Sequence, residues 1–303
     1  MQISQLLSWF LPLHIIVIIS CSKMEERITF DEETEVSYSY VMSLNNTDDI
    51  HPQGGDCFND YFFQFTAENR IVRVYDLKKK ILLQECKLDG VNRGFVPNCH
   101  CNSVNFGTKY YSDDDEFPLI YVSTGYGTDE YTGALAYRVL RENGLFSFSL
   151  VQTLRFPRDN SISWTEFVPA GDDCLLCYTG NGAVFRYAMP SVSESDVLFD
   201  DYEPMGLYKF QIINSNSRKQ DRLYYKGKII YISGVPQSGE SSYLVFMDLA
   251  SQTYEHVFNL KKIGLFSEPE SVFIWEDSLC IAFGDQIVNL VFTPAVFPEG
   301  TVI

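Results

Sequence analysis

Gln53, Glu166, Gln220 and Glu270 stand nine residues ahead of Phe62, Leu175, Ile229 and Leu279, and each of those apolar residues heads a strand-like run: FFQF, LLCY, IIYIS and LCIAFG. A turn residue, Asp60, Asp173, Gly227 or Asp277, precedes each run. Acids and amides recurring in one register suit two chemistries. Gathered at a wet, concave mouth and flanked by aromatics, they hydrogen-bond hydroxyl-rich ligands such as sugars. Tyr110, Tyr111, Trp164, Tyr224, Tyr225 and Trp275 lie near these positions. Glycoside hydrolysis instead needs two carboxylates on either side of the scissile bond, one holding a proton and the other ionised. Glu166 and Glu270 are the acids at the shared position, and Asp221 and Glu268 flank it. Because the other positions carry Gln, a non-catalytic binding ring is the preferred reading, with hydrolysis by Glu166 and Glu270 as the alternative. A third reading needs no ligand. Polar residues at the start of strands that crowd a common axis bond to water and to the backbone of the next unit.

The elements that must position these residues follow from the spacing. The gap between Gln53 and Glu166 is 113 residues, about twice the others, so one unit is hidden inside it. PNCHCNSVNFGTKYY followed by FPLIYVSTG supplies that unit, anchored at His100 or Asn102 and carrying the polar insertion SDDDE. Five units of about fifty residues built from short strands predict an all-β fold, a single β-propeller of five blades. Helical periodicity is almost absent. Third and fourth strands follow where a unit can be read in full: RIVRVYDL turns into KILLQECKL, and YLVFMDL turns into TYEHVFNL. The last unit lacks a fourth strand, whereas Glu35–Ser43, EVSYSYVMS, stands alone ahead of the first anchor. Pairing it beside Gln286–Phe292 would close the ring and leave no long exposed edge. Six blades is the alternative, because Ser191–Ser217 is long enough to hold extra strands.

A net charge of −17 repels phosphate backbones, and no Lys/Arg cluster is present to release counterions, so nucleic acid is excluded as a partner. The content of 46% apolar and 15% aromatic residues is ample for a core. Residues 1–20, MQISQLLSWFLPLHIIVIIS, form an apolar run interrupted by Pro12 and His14 and ending at Cys21, which reads as a secretory signal. Its end, Ile18-Ile19-Ser20-Cys21, resembles the lipobox of bacterial lipoproteins, although no Lys or Arg precedes the apolar stretch. That resemblance implies lipidation of Cys21 with diacylglycerol and a fatty acid such as palmitate. The acidic segment Ser22-Lys23-Met24-Glu25-Glu26 is similar to the tether of surface-displayed lipoproteins of some Gram-negative anaerobes. The expected organisation is therefore a signal at 1–20, a lipidated tether at 21–31 and a propeller over 32–303. The expected address is the outer membrane, at the cell surface, reached through the lipid on Cys21.

The seven remaining cysteines are odd in number and irregular in spacing, which argues against a disulfide framework. Cys174 and Cys177 fall on a strand and point to opposite faces. Cys99-His100-Cys101 lacks the second pair that a four-ligand metal set requires, and Asp113-Asp114-Asp115-Glu116 lacks the spacing and glycine of a calcium loop. No metal and no cofactor are expected. Nucleophile-elbow, zinc-protease and phosphate-loop motifs are absent. The segment from Glu268 to Gly284 and Gln53-Gly54-Gly55 look like the blade starts of exported bacterial propellers of the helveticin-like and lipoprotein type. The resemblance implies the fold and export. The functional expectation is a binding or scaffold propeller, recognising glycan through Gln53, His100, Asn102, Glu166, Gln220 and Glu270, or serving as a partner in an uptake system.

Overall fold

The computed structural model describes residues 34–44, 51–67, 71–88, 100–124, 131–157, 165–171, 173–179, 183–209, 219–293 and 296. The leader, Cys21, the tether, Cys99 and Trp164 lie outside them. Strand β1 (Glu35–Ser43) comes first, and the first blade follows as β2 (Pro52–Phe58), β3 (Tyr61–Thr66), β4 (Ile71–Asp76) and β5 (Ile81–Lys87). The second blade holds β6 (Val104–Phe106), β7 (Ile120–Ser123), β8 (Tyr131–Glu142) and β9 (Leu145–Pro157). The third begins with β10 (Thr165–Ala170), β11 (Cys174–Thr179) and β12 (Ala183–Ala188). Two short strands come next, β13 (Asp196–Leu198) and β14 (Gly206–Lys209). The fourth blade is β15 (Lys219–Tyr225), β16 (Lys228–Ser233), β17 (Tyr243–Asp248) and β18 (Thr253–Asn259). The fifth is β19 (Pro269–Trp275), β20 (Ser278–Phe283) and β21 (Gln286–Thr293).

The ring closes as the spacing predicts. β1 pairs antiparallel with β21, from Glu35 opposite Thr293 to Ser43 opposite Gln286, and so becomes the fourth strand of the last blade. The stretch that raised the six-blade alternative adds no blade. β13 joins the outer edge of blade 2 parallel to β9, and β14 completes blade 3 beside β12. Tight turns between neighbouring strands carry consecutive positive φ values, at Asn143-Gly144, Lys226-Gly227 and Glu276-Asp277. That backbone twist matches the twist of paired strands.

Side-chain alternation along each strand sends successive residues to opposite neighbours. Phe62 packs toward blade 5, stacked on Phe273 with ring centroids 4.6 Å apart, while Phe63 and Phe65 enter the cluster shared with blade 2. In the same way Leu175 and Cys177 face blade 2, and Cys174 and Leu176 face blade 4. The described residues therefore form five apolar clusters, each between adjacent blades, and the cysteines serve them as small hydrophobes. The acidic insertion is pinned. Asp115 is buried and takes two branches of the Arg138 guanidinium, at 2.6 and 2.9 Å.

Polar groups stitch the inner strands together near the axis. Asp56 accepts the Phe106 amide of blade 2 at 2.7 Å, the Ser123 hydroxyl accepts the Phe167 amide of blade 3 at 2.9 Å, and Asp221 accepts the Val272 amide of blade 5 at 3.1 Å. Ser271 links blade 5 back to blade 1 by donating to the Gln53 carbonyl at 3.0 Å. Blades 1 and 2 touch so closely at Gly54 that a Cβ there would meet the Cys101 carbonyl oxygen at 2.6 Å, which only glycine permits. Blades 2 and 4 are not neighbours in the ring, yet the Ser103 hydroxyl lies 3.5 Å from the Arg222 carbonyl. At this level the inner strands meet across the axis.

Candidate functional site

Each position of the shared register opens or immediately precedes the inner strand of its own blade: Gln53 on β2, Glu166 on β10, Gln220 on β15 and Glu270 on β19, with His100 and Asn102 just ahead of β6. Their local backbones differ. The pairing register slips between Pro52 and Gly55, between Lys219 and Arg222, and between Pro269 and Ser271, so Gln53, Gln220 and Glu270 all sit in β-bulges. Glu166 lies in regular pairing opposite Tyr178. A bulge inserts an unpaired residue and re-aims its side chain, a device common at the rims of closed sheets beside binding sites.

The side chains go to different places. Glu166 is fully buried and paired with the guanidinium of Arg222, which lies between the rings of Tyr178 and Tyr231 at 4.9 and 5.6 Å. Burial pushes Arg222 down to about 10. Gln220 turns toward blade 5 and donates to a Glu268 carboxylate oxygen at 2.5 Å. Glu270 is 7% exposed, and its Oε2 has no hydrogen-bond partner among the protein groups. The side-chain oxygens of Gln53 and Asn102 are likewise buried without partners. His100 is half-buried, and its amide donates to the Thr124 carbonyl at 2.9 Å. The register positions brought together around one feature are thus Gln220 and Glu270, through Glu268.

That feature is a cavity of about 280 Å³ at the end of the ring where the inner strands begin. Its wall is made by His51 and Pro52 ahead of and at the start of β2, Gln237 after β16, Ser267, Glu268 and Glu270 at the entry to β19, and Gly284 and Asp285 in the turn before β21. Among the described residues, three acids and no lysine or arginine line it. Burial, then the nearby charges of Glu268 and Asp221, hold the Glu270 carboxyl well above the ordinary range, which favours its protonated form. The site therefore sets a carboxyl with a raised proton affinity beside Glu268, which is bonded to the Gln220 amide. Asp56 and Asp221, nearer the axis, are also raised by burial, Asp56 to about 7, even though backbone amides bond to both.

The off-axis placement escapes the register, because the lining comes from three blades, and Gln237, in the 3-10 turn Pro236–Ser238, and Asp285, in the turn before β21, lie outside it. One signal was available. Glu268 and Glu270 bracket Pro269 in a segment otherwise feeding an apolar strand, and two acids so placed must find either partners or solvent. Among the described residues no group of acids, histidines and cysteines is arranged to hold a metal ion.

No family model matches the chain, and no curated protein does. Among solved structures it is similar to the glutaminyl cyclase of Myxococcus xanthus, at 11% identity and a TM-score of 0.48 over 85% of this chain and 97% of that one. It is also similar to the PQQ-bound aldose sugar dehydrogenase of Streptomyces coelicolor, at 10% identity and a TM-score of 0.49 over 86% and 98%. A third match is the tail fibre of Staphylococcus aureus phage P68, at 9% identity and a TM-score of 0.49, where 85% of this chain spans 52% of the other. The three differ in what they do. The five-blade assignment rests on the strand pairing of this chain itself.

Proposed function

We propose that the propeller is a non-catalytic binding module of a surface lipoprotein, and that its ligand site is the cavity walled by Glu268 and Glu270, with a saccharide as the ligand class. The observation that carries this reading is Glu270: a bulged, buried side chain with an unsatisfied oxygen in a polar cavity. A buried polar atom without a partner is unfavourable by about 1–3 kcal/mol, and a ligand hydroxyl relieves that. The size agrees, because sites for drug-sized ligands run from roughly 300 to 1,000 Å³ and this one, at about 280 Å³, suits a single sugar ring.

A glycan array probed with the purified protein should return carbohydrate ligands, and Glu270→Ala should weaken the best of them about tenfold or more by calorimetry, a loss of about 1.4 kcal/mol. Undiminished binding by a folded Glu270→Ala protein would move the site elsewhere. The second reading is glycan hydrolysis. It draws on the Glu270 carboxyl, raised by burial, beside Glu268, whereas Glu166 is held by Arg222 and is poorly placed to exchange a proton. Reducing-sugar release from the bound glycan would favour it, and release abolished in Glu270→Ala would assign the acid.

Anchoring through Cys21 belongs to the same proposal and rests on the Ile18–Cys21 motif. Cells fed a labelled fatty acid should tag the wild type and spare Cys21→Ala. Equal labelling would rule out the lipobox.

A further inference from the structure

We propose that the cavity at the mouth of the ring selects an amino sugar, whose ammonium group docks between Glu268 and Glu270. This rests on the reading of that cavity as a saccharide site and deepens it by naming the group that is recognised. Three observations lead there. Among the described residues the wall carries the acids Glu268, Glu270 and Asp285 and no lysine or arginine, so a cationic group meets acids on that wall. The unpartnered atom is Glu270 Oε2, an acceptor once the carboxyl is ionised, on a side chain more than nine-tenths buried. Glu268 has already committed one oxygen to the Gln220 amide, which fixes the carboxylate beside Glu270. An ammonium brings three donors and no acceptor and so matches such a wall, whereas a hydroxyl brings one donor. His51, Gln237 and Ser267 supply the remaining polar groups for the hydroxyls of one ring.

The geometry has a linked proton. Before a ligand enters, burial and then the charges of Glu268 and Asp221 raise the Glu270 carboxyl and favour its protonated form. When a charged amine enters, its positive charge favours the carboxylate, and the Glu270 proton leaves to solvent. The product is an ammonium–carboxylate pair, stronger than a neutral hydrogen bond by roughly twofold. A neutral sugar meets Glu270 as a carboxylic acid and leaves the proton in place. Glutamine copies the neutral acid, with a donor and an acceptor, but cannot become anionic. It therefore separates the two modes.

The test uses the methyl glycosides of glucosamine, N-acetylglucosamine and glucose, which differ at one substituent and carry at most one charge, so the general attraction of an acidic protein stays small. Calorimetry at mildly acid pH, in two buffers of different ionisation heat, reads both affinity and proton release. The amine glycoside should bind about tenfold tighter than the other two and release about one proton. Glu270→Gln should erase the tenfold preference and abolish the release. Glu268→Gln should diminish the preference as a second, independently folded check. Equal affinities for the three glycosides, or a preference that survives both substitutions, would overturn the amine assignment while leaving the saccharide site standing. Binding of none of them would overturn the saccharide site as well.

Discussion

Arg222→Ala should destabilise the protein by about 3–5 kcal/mol, the largest effect expected of any single substitution discussed here. Arg222 and Glu166 are both buried, and each is the other's counter-charge. Removing the guanidinium leaves a carboxylate with no solvent and no cation, and it also empties the space between Tyr178 and Tyr231 that holds blades 3 and 4 together. Glu166→Gln should act in the same direction with a smaller magnitude, because an amide oxygen still accepts from the guanidinium. The double change Arg222→Met with Glu166→Leu should recover most of the loss, since two apolar chains of similar volume have no buried charge to balance. Urea unfolding of wild type, Arg222→Met, Glu166→Leu and the double variant forms a double-mutant cycle that reads the coupling of the pair. A loss below about 1 kcal/mol in Arg222→Ala would mean that the pair is solvated and that Glu166 is free for other work.

The second large effect is on pH. Asp56 is raised to about 7 in the folded chain against an ordinary value near 4, and Asp221 and Glu270 are also raised, chiefly by burial and then by neighbouring acids. Between the ordinary and raised values the folded protein binds a proton that the unfolded chain does not, so stability is full below about pH 4 and falls as pH rises through 7. For Asp56 alone the loss is on the order of 4 kcal/mol across that window. Asp76 and Asp248 act oppositely. Burial raises Asp76, but bonds from Lys79 outweigh it, and the Ser251 amide holds Asp248 down. Asp76 is buried and Asp248 half-buried, and each contributes stability that is present above its ordinary range and lost as pH falls below it. Asp56→Asn should flatten the dependence between about pH 4 and 7, a change that relief of the overall negative charge on acidification cannot mimic. Stability that rises with pH across this window would show that the axial acids are ionised and solvated.

The architecture was legible because its causes are local. Turn residues followed by apolar runs mark β3, β11, β16 and β20, and a strand without a mate, EVSYSYVMS, has one place where it can remove an exposed edge. Strands short enough to be ambiguous were not legible: β13 and β14 attach to blades 2 and 3 by pairings that no periodicity encodes. The site divides in the same way. The register found Glu270 and Gln220, but the bulges that re-aim them arise where inner strands crowd the axis, and crowding is a property of the closed ring. Glu166 and Arg222 are fifty-six residues apart, and nothing near either says that they meet. The run Gln220-Asp221-Arg222 did carry a warning, since a charged pair leading into the half-buried Tyr224 and Tyr225 requires partners from elsewhere. Asp221 finds the Val272 amide, and Arg222 finds Glu166.

The central claim is that the bulged acid of the fifth blade faces a ligand at the mouth of the ring. A crystal structure of the protein bound to its best array ligand, or to methyl glucosaminide, tests it most directly. The account predicts a sugar ring seated among His51, Gln237, Glu268 and Glu270, with a ligand donor within hydrogen-bonding distance of Glu270 Oε2. A ligand found on the opposite face of the ring, or along the outer strands with the cavity holding only solvent, would contradict it.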